Sequence, residues 1–322
     1  MATYRGIKGV EIQTITGDPA NPVTGQVWYN TTANTMKAYG KQGTGAWASG
    51  GDLNTARSYM SGGGTQTAAI IAGGSIMPES FEGLTETYDG SSWTEENDLN
   101  TPRQGLLTCG PTTAALAFFG TEHTPSPTGV SVATEKYNGT SWTTVNDGNN
   151  ARYFAARAGA SSTAALAFGG QNAYTAVTES YDGTTWTEVT ALNAARSSLG
   201  GDGISTLAIA TGGASPAVAL VEIWDGSSWT EVQNLPSTRS FNRCGGTTTD
   251  AIVASAEPAS VLTQAWNGTA WSELADMASA RVACGNTGTA QAFLMTGGRA
   301  PPDTVATEEW TIPDATKTFT SS

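Results

Sequence analysis

Histidine is almost missing from this chain. Among 322 residues there is one, His123, so a His-rich metal site is excluded and a Ser–His triad has only one residue to draw on. His123 stands in the polar run TEHTPSPTG, where a solvated loop residue is expected. Cysteine is scarce too. Cys109, Cys244 and Cys284 are an odd set with no CxxC pair, so they make neither a disulfide framework nor a zinc site. Charged residues are only 13% and basic ones fewest: 15 Lys+Arg against 28 Asp+Glu give a formal net charge of −13. That balance disfavours nucleic acid, and there is no Lys/Arg cluster for an anionic membrane. No run approaches the roughly 18 apolar residues of a spanning helix. The opening MATYRGIKGV has no apolar core of signal-peptide type, so a soluble product made in the cytoplasm is expected. No Gly-rich stretch is followed by the Lys-Ser/Thr of a phosphate loop. No cofactor and no metal are expected.

What is abundant is glycine, with 39 residues, and aromatics, with ten Trp, nine Tyr and eight Phe. Disordered chains are poor in aromatics, and many turns joining short strands need glycine. The aromatics also recur. Trp47, Trp93, Trp142, Trp186, Trp229 and Trp271 are 46, 49, 44, 43 and 42 residues apart. Ten residues after each stands an arginine: Arg57, Arg103, Arg152, Arg196, Arg239 and Arg281. A drifting repeat with one fixed segment confines insertions to particular loops.

Each unit reads as four strands. Strand a follows the Arg, and strand b is an apolar run often closed by two glycines, as in AAIIAGG and TLAIATGG. Strand c has the form of TETYDG or VEIWDG, and strand d carries the Trp. Asp-Gly or Asn-Gly separates c from d, at Asp89-Gly90, Asn138-Gly139, Asp182-Gly183, Asp225-Gly226 and Asn267-Gly268; both are strong hairpin signals. Nothing of helical period lies between units. A four-stranded unit cannot bury both faces alone, but sheets stacked around an axis cover each other. The expected fold is all-β, a six-bladed β-propeller of antiparallel four-stranded blades. Nine of the ten tryptophans hold repeat positions, six on strand d and Trp224, Trp266 and Trp310 on strand c, which assigns them to packing between sheets.

The last unit lacks strand d at the expected spacing, while the strand around Trp47 precedes the first Arg with no unit of its own. The amino-terminal strand is therefore inferred to complete the last blade and close the ring. A rival is the tail IPDATKTFTSS, which offers Phe319 for the same slot. The expected organisation is an amino-terminal segment of short strands over 1–46 and a propeller over 47–322.

The order Arg…Gly, apolar run with Gly-Gly, aromatic-Asp-Gly and Trp resembles the kelch repeat over roughly residues 47–320. The double glycine is intact at Gly73-Gly74, Gly169-Gly170, Gly212-Gly213 and Gly297-Gly298, altered to Phe119-Gly120 in the second unit, and lost at Ser255-Ala256 in the fifth. The wording GTQTAAIIAGG, YDGSSWTE and ATEEWT is also similar to kelch-like virion proteins of marine tailed phages. NPVTGQVWYNTTANTMKAYGKQGTGAW resembles a short module of phage tail fibres. The resemblance implies a virion structural protein, a tail-fibre or tail-appendage subunit, not an enzyme, used for host attachment or assembly. It is expected in the virion, at the tail or a surface appendage. Its implied partners are other virion proteins and a host surface glycan or receptor, and a homo-oligomer fits the repeat. A capsid or tail decoration protein and a cellular kelch-type interaction scaffold are the alternatives.

Catalysis on this fold finds no constellation. The copper-radical oxidases that share the kelch fold need a Tyr/His/Cys cluster missing here. SYDGTTW at 180–186 approaches a sialidase Asp-box, but Asp182 is four residues from Trp186 where the box has five. The six repeat arginines would ring the inner strands. Each unit except the fifth supplies a strand c carboxylate, Glu86, Glu135, Glu179, Glu222 or Glu308, and the fifth has Gln264. Internal Arg–carboxylate pairing is the expected use, and an anion site the alternative. The b–c loops vary in length while the d–a linkers do not, and variable loops on a rigid scaffold are where binding resides. Phe81, His123, Tyr174 and Arg299 are the candidate contacts.

Overall fold

The computed structural model describes residues 12–77, 80–123, 129–214 and 216–319. They fall into two compact units: 12–45 with 311–319, and Ala46–Trp310. Among the described residues every regular element is a strand. Most belong to four-stranded antiparallel sheets, as in a β-propeller. The expectations for the opening MATYRGIKGV and for parts of three b–c loops, at 78–79, 124–128 and 215, lie outside the described residues.

The larger unit holds six four-stranded sheets, each running a, b, c, d outward from the strand that follows the repeat arginine. The third is the most regular: Ala156–Ser161, Ala164–Phe168, Thr178–Tyr181 and Trp186–Val189. Its c–d register places Tyr181 opposite Trp186 and Glu179 opposite Glu188. Asp182 caps that turn by accepting the Thr184 and Thr185 backbone N–H groups at 2.8 and 2.7 Å. This is the Asx geometry that makes Asp-Gly a hairpin signal. In the sixth sheet the strands Gly285–Thr289, Ala292–Thr296 and Thr307–Thr311 are joined by Ala46–Ser49 as the fourth.

The rival strand goes elsewhere. Asp314–Phe319 pairs antiparallel with Thr35–Lys41, bringing Phe319 opposite Met36. It forms one edge of a sheet completed by Val27–Asn30 and, in parallel, Gln13–Ile15. The expected boundary of 47–322 is corrected accordingly, because the tail's backbone partners lie in the amino-terminal segment.

Bonds from sheet to sheet explain the repeat residues. Trp93 Nε1 donates to Thr307 Oγ1, Trp142 to Thr85, Trp186 to Thr134, Trp229 to Thr178 and Trp47 to Thr263, all at 3.0–3.1 Å. In each case the acceptor is the strand c threonine of the preceding sheet. The fourth sheet has Val221 there, and Trp271 donates to the Gln233 carbonyl instead.

The double glycine makes the next link. The second glycine's N–H donates to the carbonyl of the following sheet's repeat arginine: Gly74 to Arg103, Gly170 to Arg196, Gly213 to Arg239, and Gly298 back to Arg57. At Gly169 the backbone has φ +65°, and an added Cβ would lie 2.6 Å from the Arg196 carbonyl oxygen, so both conformation and space call for glycine. Phe119 and Ser255 adopt the same left-handed conformation despite their side chains. At Ser255 the hydroxyl takes over the link by donating to the Arg281 carbonyl.

Candidate functional site

The repeat arginines are buried and internally paired. Arg57–Glu86, Arg103–Glu135, Arg152–Glu179 and Arg281–Glu308 lie at 2.8–2.9 Å, and Arg196 pairs likewise with Glu222. Each glutamate's second oxygen accepts the backbone N–H of the residue three before the arginine. Those donors are Asn54, Asn100, Asn149, Asn193 and Ala278. The asparagine side chains reinforce this, each Nδ2 reaching both the glutamate and the strand d Trp carbonyl. Burial pulls the arginine pKa values at 57, 103 and 152 down, and the glutamates oppose that. A guanidinium used this way is not free to hold an external anion.

The fifth sheet departs on both sides of the pair. Gln264 replaces the glutamate, and Pro236, which has no N–H, stands three before Arg239. Arg239 is 2% exposed and, among the described residues, its side chain donates only to the Leu262 carbonyl, while its Nη2 and the Gln264 Oε1 have no partner there.

Two of the four candidate contacts meet. Phe81 ends the short pair Ser75–Ile76 with Ser80–Phe81 in the first b–c loop. His123 follows Thr121–Glu122, which lies between Arg103–Gln104 and Gly129–Val130 in a three-stranded sheet built from the second. The Phe81 and His123 rings stand 5.5 Å apart, edge to face. His123 is exposed, Phe81 half-buried, and Met77, in the same loop as Phe81, 45% exposed. Tyr174, also exposed, has no ring partner among the described residues and holds φ +44°. Arg299 is not at a loop tip. Its backbone bridges Val282 and Asp303, and its Nη1 donates to the Tyr59 hydroxyl at 3.2 Å.

Tyr59 leads to a cluster the sequence reading missed. Two residues after each repeat arginine the backbone is left-handed, at Tyr59, Gly105, Phe154, Ser198, Phe241 and Ala283. Backbone bonds join them in succession: Tyr59 N–H to Ala283 O, Gly105 to Tyr59, Phe154 to Gly105, Ser198 to Phe154 and Phe241 to Ser198. The rings of Tyr59, Phe154 and Phe241 pack mutually, with centroids 4.9–5.9 Å apart. Large and small alternate because they must: a Cβ at Gly105 would lie 2.7 Å from the Phe154 ring. Aligning the repeats on the arginine exposes this alternation.

Beneath the rings lies a cavity of about 50 Å³ to which all six sheets contribute. Its charged lining residues, Arg157 and Arg243, stand where most other units have small or uncharged side chains. Arg157 pairs with Asp202 at 2.9 Å and reaches the Gly62 carbonyl at 2.7 Å. Asp202 also accepts the Gly246 N–H at 2.8 Å, and burial raises its pKa. The cysteines are buried and free; burial pushes the Cys109 thiol up to about 12 and those of Cys244 and Cys284 upward.

No protein-family model matches this chain, and no curated protein matches it. Among solved structures it is similar to YjhT, at a TM-score of 0.66 and 12% identity, over 83% of this chain and 99% of that one. At that identity the likeness shows the fold alone.

Proposed function

We propose that Ala46–Trp310 is a six-bladed kelch-like propeller, closed by the Ala46–Ser49 strand, in a phage virion structural protein. It serves as a tail-fibre or tail-appendage subunit that presents the propeller for host attachment or assembly. Two observations support the closed ring: Trp93 of the first sheet bonds Thr307 of the sixth, and Gly298 of the sixth bonds Arg57 of the first.

The meeting of Phe81 and His123 carries the functional reading. Residues from two consecutive b–c loops form one composite aromatic and polar feature at the surface. Within the sheets, five of the six repeat arginines are paired with buried carboxylates. A rigid interior with a composite loop surface suits recognition by surface complementarity. Aromatic and amphipathic side chains are the usual anchors of such contacts.

Immunolabelling of purified particles tests the placement, with label at the tail or its fibres expected. Label on the capsid would favour a decoration protein, and virions lacking the protein would refute the reading. Phages carrying Phe81→Ala with His123→Ala test the surface: adsorption should fall at least tenfold with the particle intact. Unchanged adsorption and assembly would remove this pair from the interface.

A further inference from the structure

We propose that the cavity beneath Tyr59, Phe154 and Phe241 binds a small oxyanion of phosphate size, held between the guanidinium groups of Arg157 and Arg243. The inference uses the closed ring proposed above but not the virion role.

The charge balance is the first argument. Two guanidinium groups line the cavity, and Asp202 is the one carboxylate paired with either among the described residues. Arg243 has no carboxylate partner there. Its Nε donates to the Cys284 carbonyl and its Nη1 to the Asn242 carbonyl. A carbonyl satisfies a donor but does not neutralise a cation. Burial, with the nearby Arg157 cation adding to it, presses the Arg243 pKa down. An uncompensated charge in such a place is costly, and an anion removes the cost.

Geometry is the second. Arg243 Nη2 has no acceptor among the described residues, and the half-buried Arg243 lines the cavity. Arg157 is spread across the space between sheets, fixed by Asp202, the Gly62 carbonyl and, at 3.4 Å, the Asn286 carbonyl. These contacts use three of the four Arg157 Nη–H donors and leave its Nε–H and one Nη1–H, so the open donors of Arg243 are the main contact offered to an oxyanion. The volume of about 50 Å³ is the third argument. At roughly 10–15 Å³ per water it admits about four waters, or one tetrahedral oxyanion. The rings of Tyr59, Phe154 and Phe241 form part of its lining.

The test uses the full chain, exchanged into phosphate-free buffer and titrated with sodium phosphate. The melting temperature should rise and saturate in the millimolar range or below, whereas chloride at matched ionic strength should do nothing. Arg243→Gln should weaken phosphate binding at least tenfold. A rise that never saturates, or that is equal in Arg243→Gln, is a general salting effect and overturns the proposal. Diffraction from crystals soaked in selenate gives a second readout that needs no variant. Anomalous density between Arg157 and Arg243 is expected, and its absence at saturating selenate would overturn the site.

Discussion

The fifth sheet offers a test of the energetics built into the repeat. Replacing Gln264 by Glu supplies the carboxylate Arg239 lacks, but Pro236 withholds the N–H that the other glutamates receive. Alone, Gln264→Glu is therefore expected within about 1 kcal/mol of the parent, since attraction to a buried guanidinium is offset by desolvation of an incompletely bonded carboxylate. Pro236→Asn alone should cost ~0.4–1 kcal/mol through greater freedom of the unfolded chain. Together they recreate the arrangement around Asn193 and Glu222, where backbone N–H and Nδ2 both bond Oε2 at 2.8 Å. Hydrogen bonds to charged groups contribute ~1.5–3 kcal/mol each. After the loop and desolvation terms, the double variant should gain about 2–4 kcal/mol. Urea unfolding of all four proteins gives the double-mutant cycle. Distant, independent sites add to within about 0.5 kcal/mol, so coupling below that value would refute the account of why proline and glutamine occur together.

The converse change in a complete unit, Glu179→Gln, strands the buried Arg152 and should cost ~3–5 kcal/mol in urea unfolding. Val221→Thr restores the hydroxyl that accepts the strand d indole elsewhere, and should draw Trp271 Nε1 from the Gln233 carbonyl, with a gain of ~0.5–1.5 kcal/mol. Burial, with Glu309 near one and Glu96 near the other, holds Tyr88 and Tyr137 up at about 12. Their folded-state values exceed the ordinary value near 10, so the stability they carry is complete below pH 10. It should be lost as pH rises from 10 to 12, seen as a falling melting temperature that Tyr88→Phe makes less steep. Native protein should show no thiol reactive to an aromatic disulfide at pH 8, and three after denaturation, because all three cysteines are buried and their pKa values raised.

Much of this was legible in the sequence because it repeats. A Trp and an Arg ten residues apart signal a fixed linker, and the Asx-Gly turns fix the c–d register, as Tyr181 opposite Trp186 bears out. The pairing of Arg with the strand c carboxylate followed from both recurring together. What stayed hidden has no sequence period. Which segment completes the sixth sheet depends on long-range pairing between the chain's two ends, and both Trp47 and Phe319 fitted the slot. Arg157, Arg243 and Asp202 each occur once, and only the fold brings strands of different sheets around one cavity. Phe81 and His123 showed as loop residues, but their contact depends on how two loops of unequal length lean.

The departures at the fifth sheet also have a consequence for motion. Five successive backbone bonds link the residues that follow the arginines, but none runs from Ala283 to Phe241. On this sheet the glutamate is absent, the tryptophan latch is diverted to Gln233, and a serine hydroxyl substitutes for the double-glycine link. A row of linked sheets with one weak joint should open there first, seen as the fastest amide exchange in the fifth sheet. Water exchanging with the space lined by Tyr59, Phe154 and Phe241 is expected to use that joint before any other.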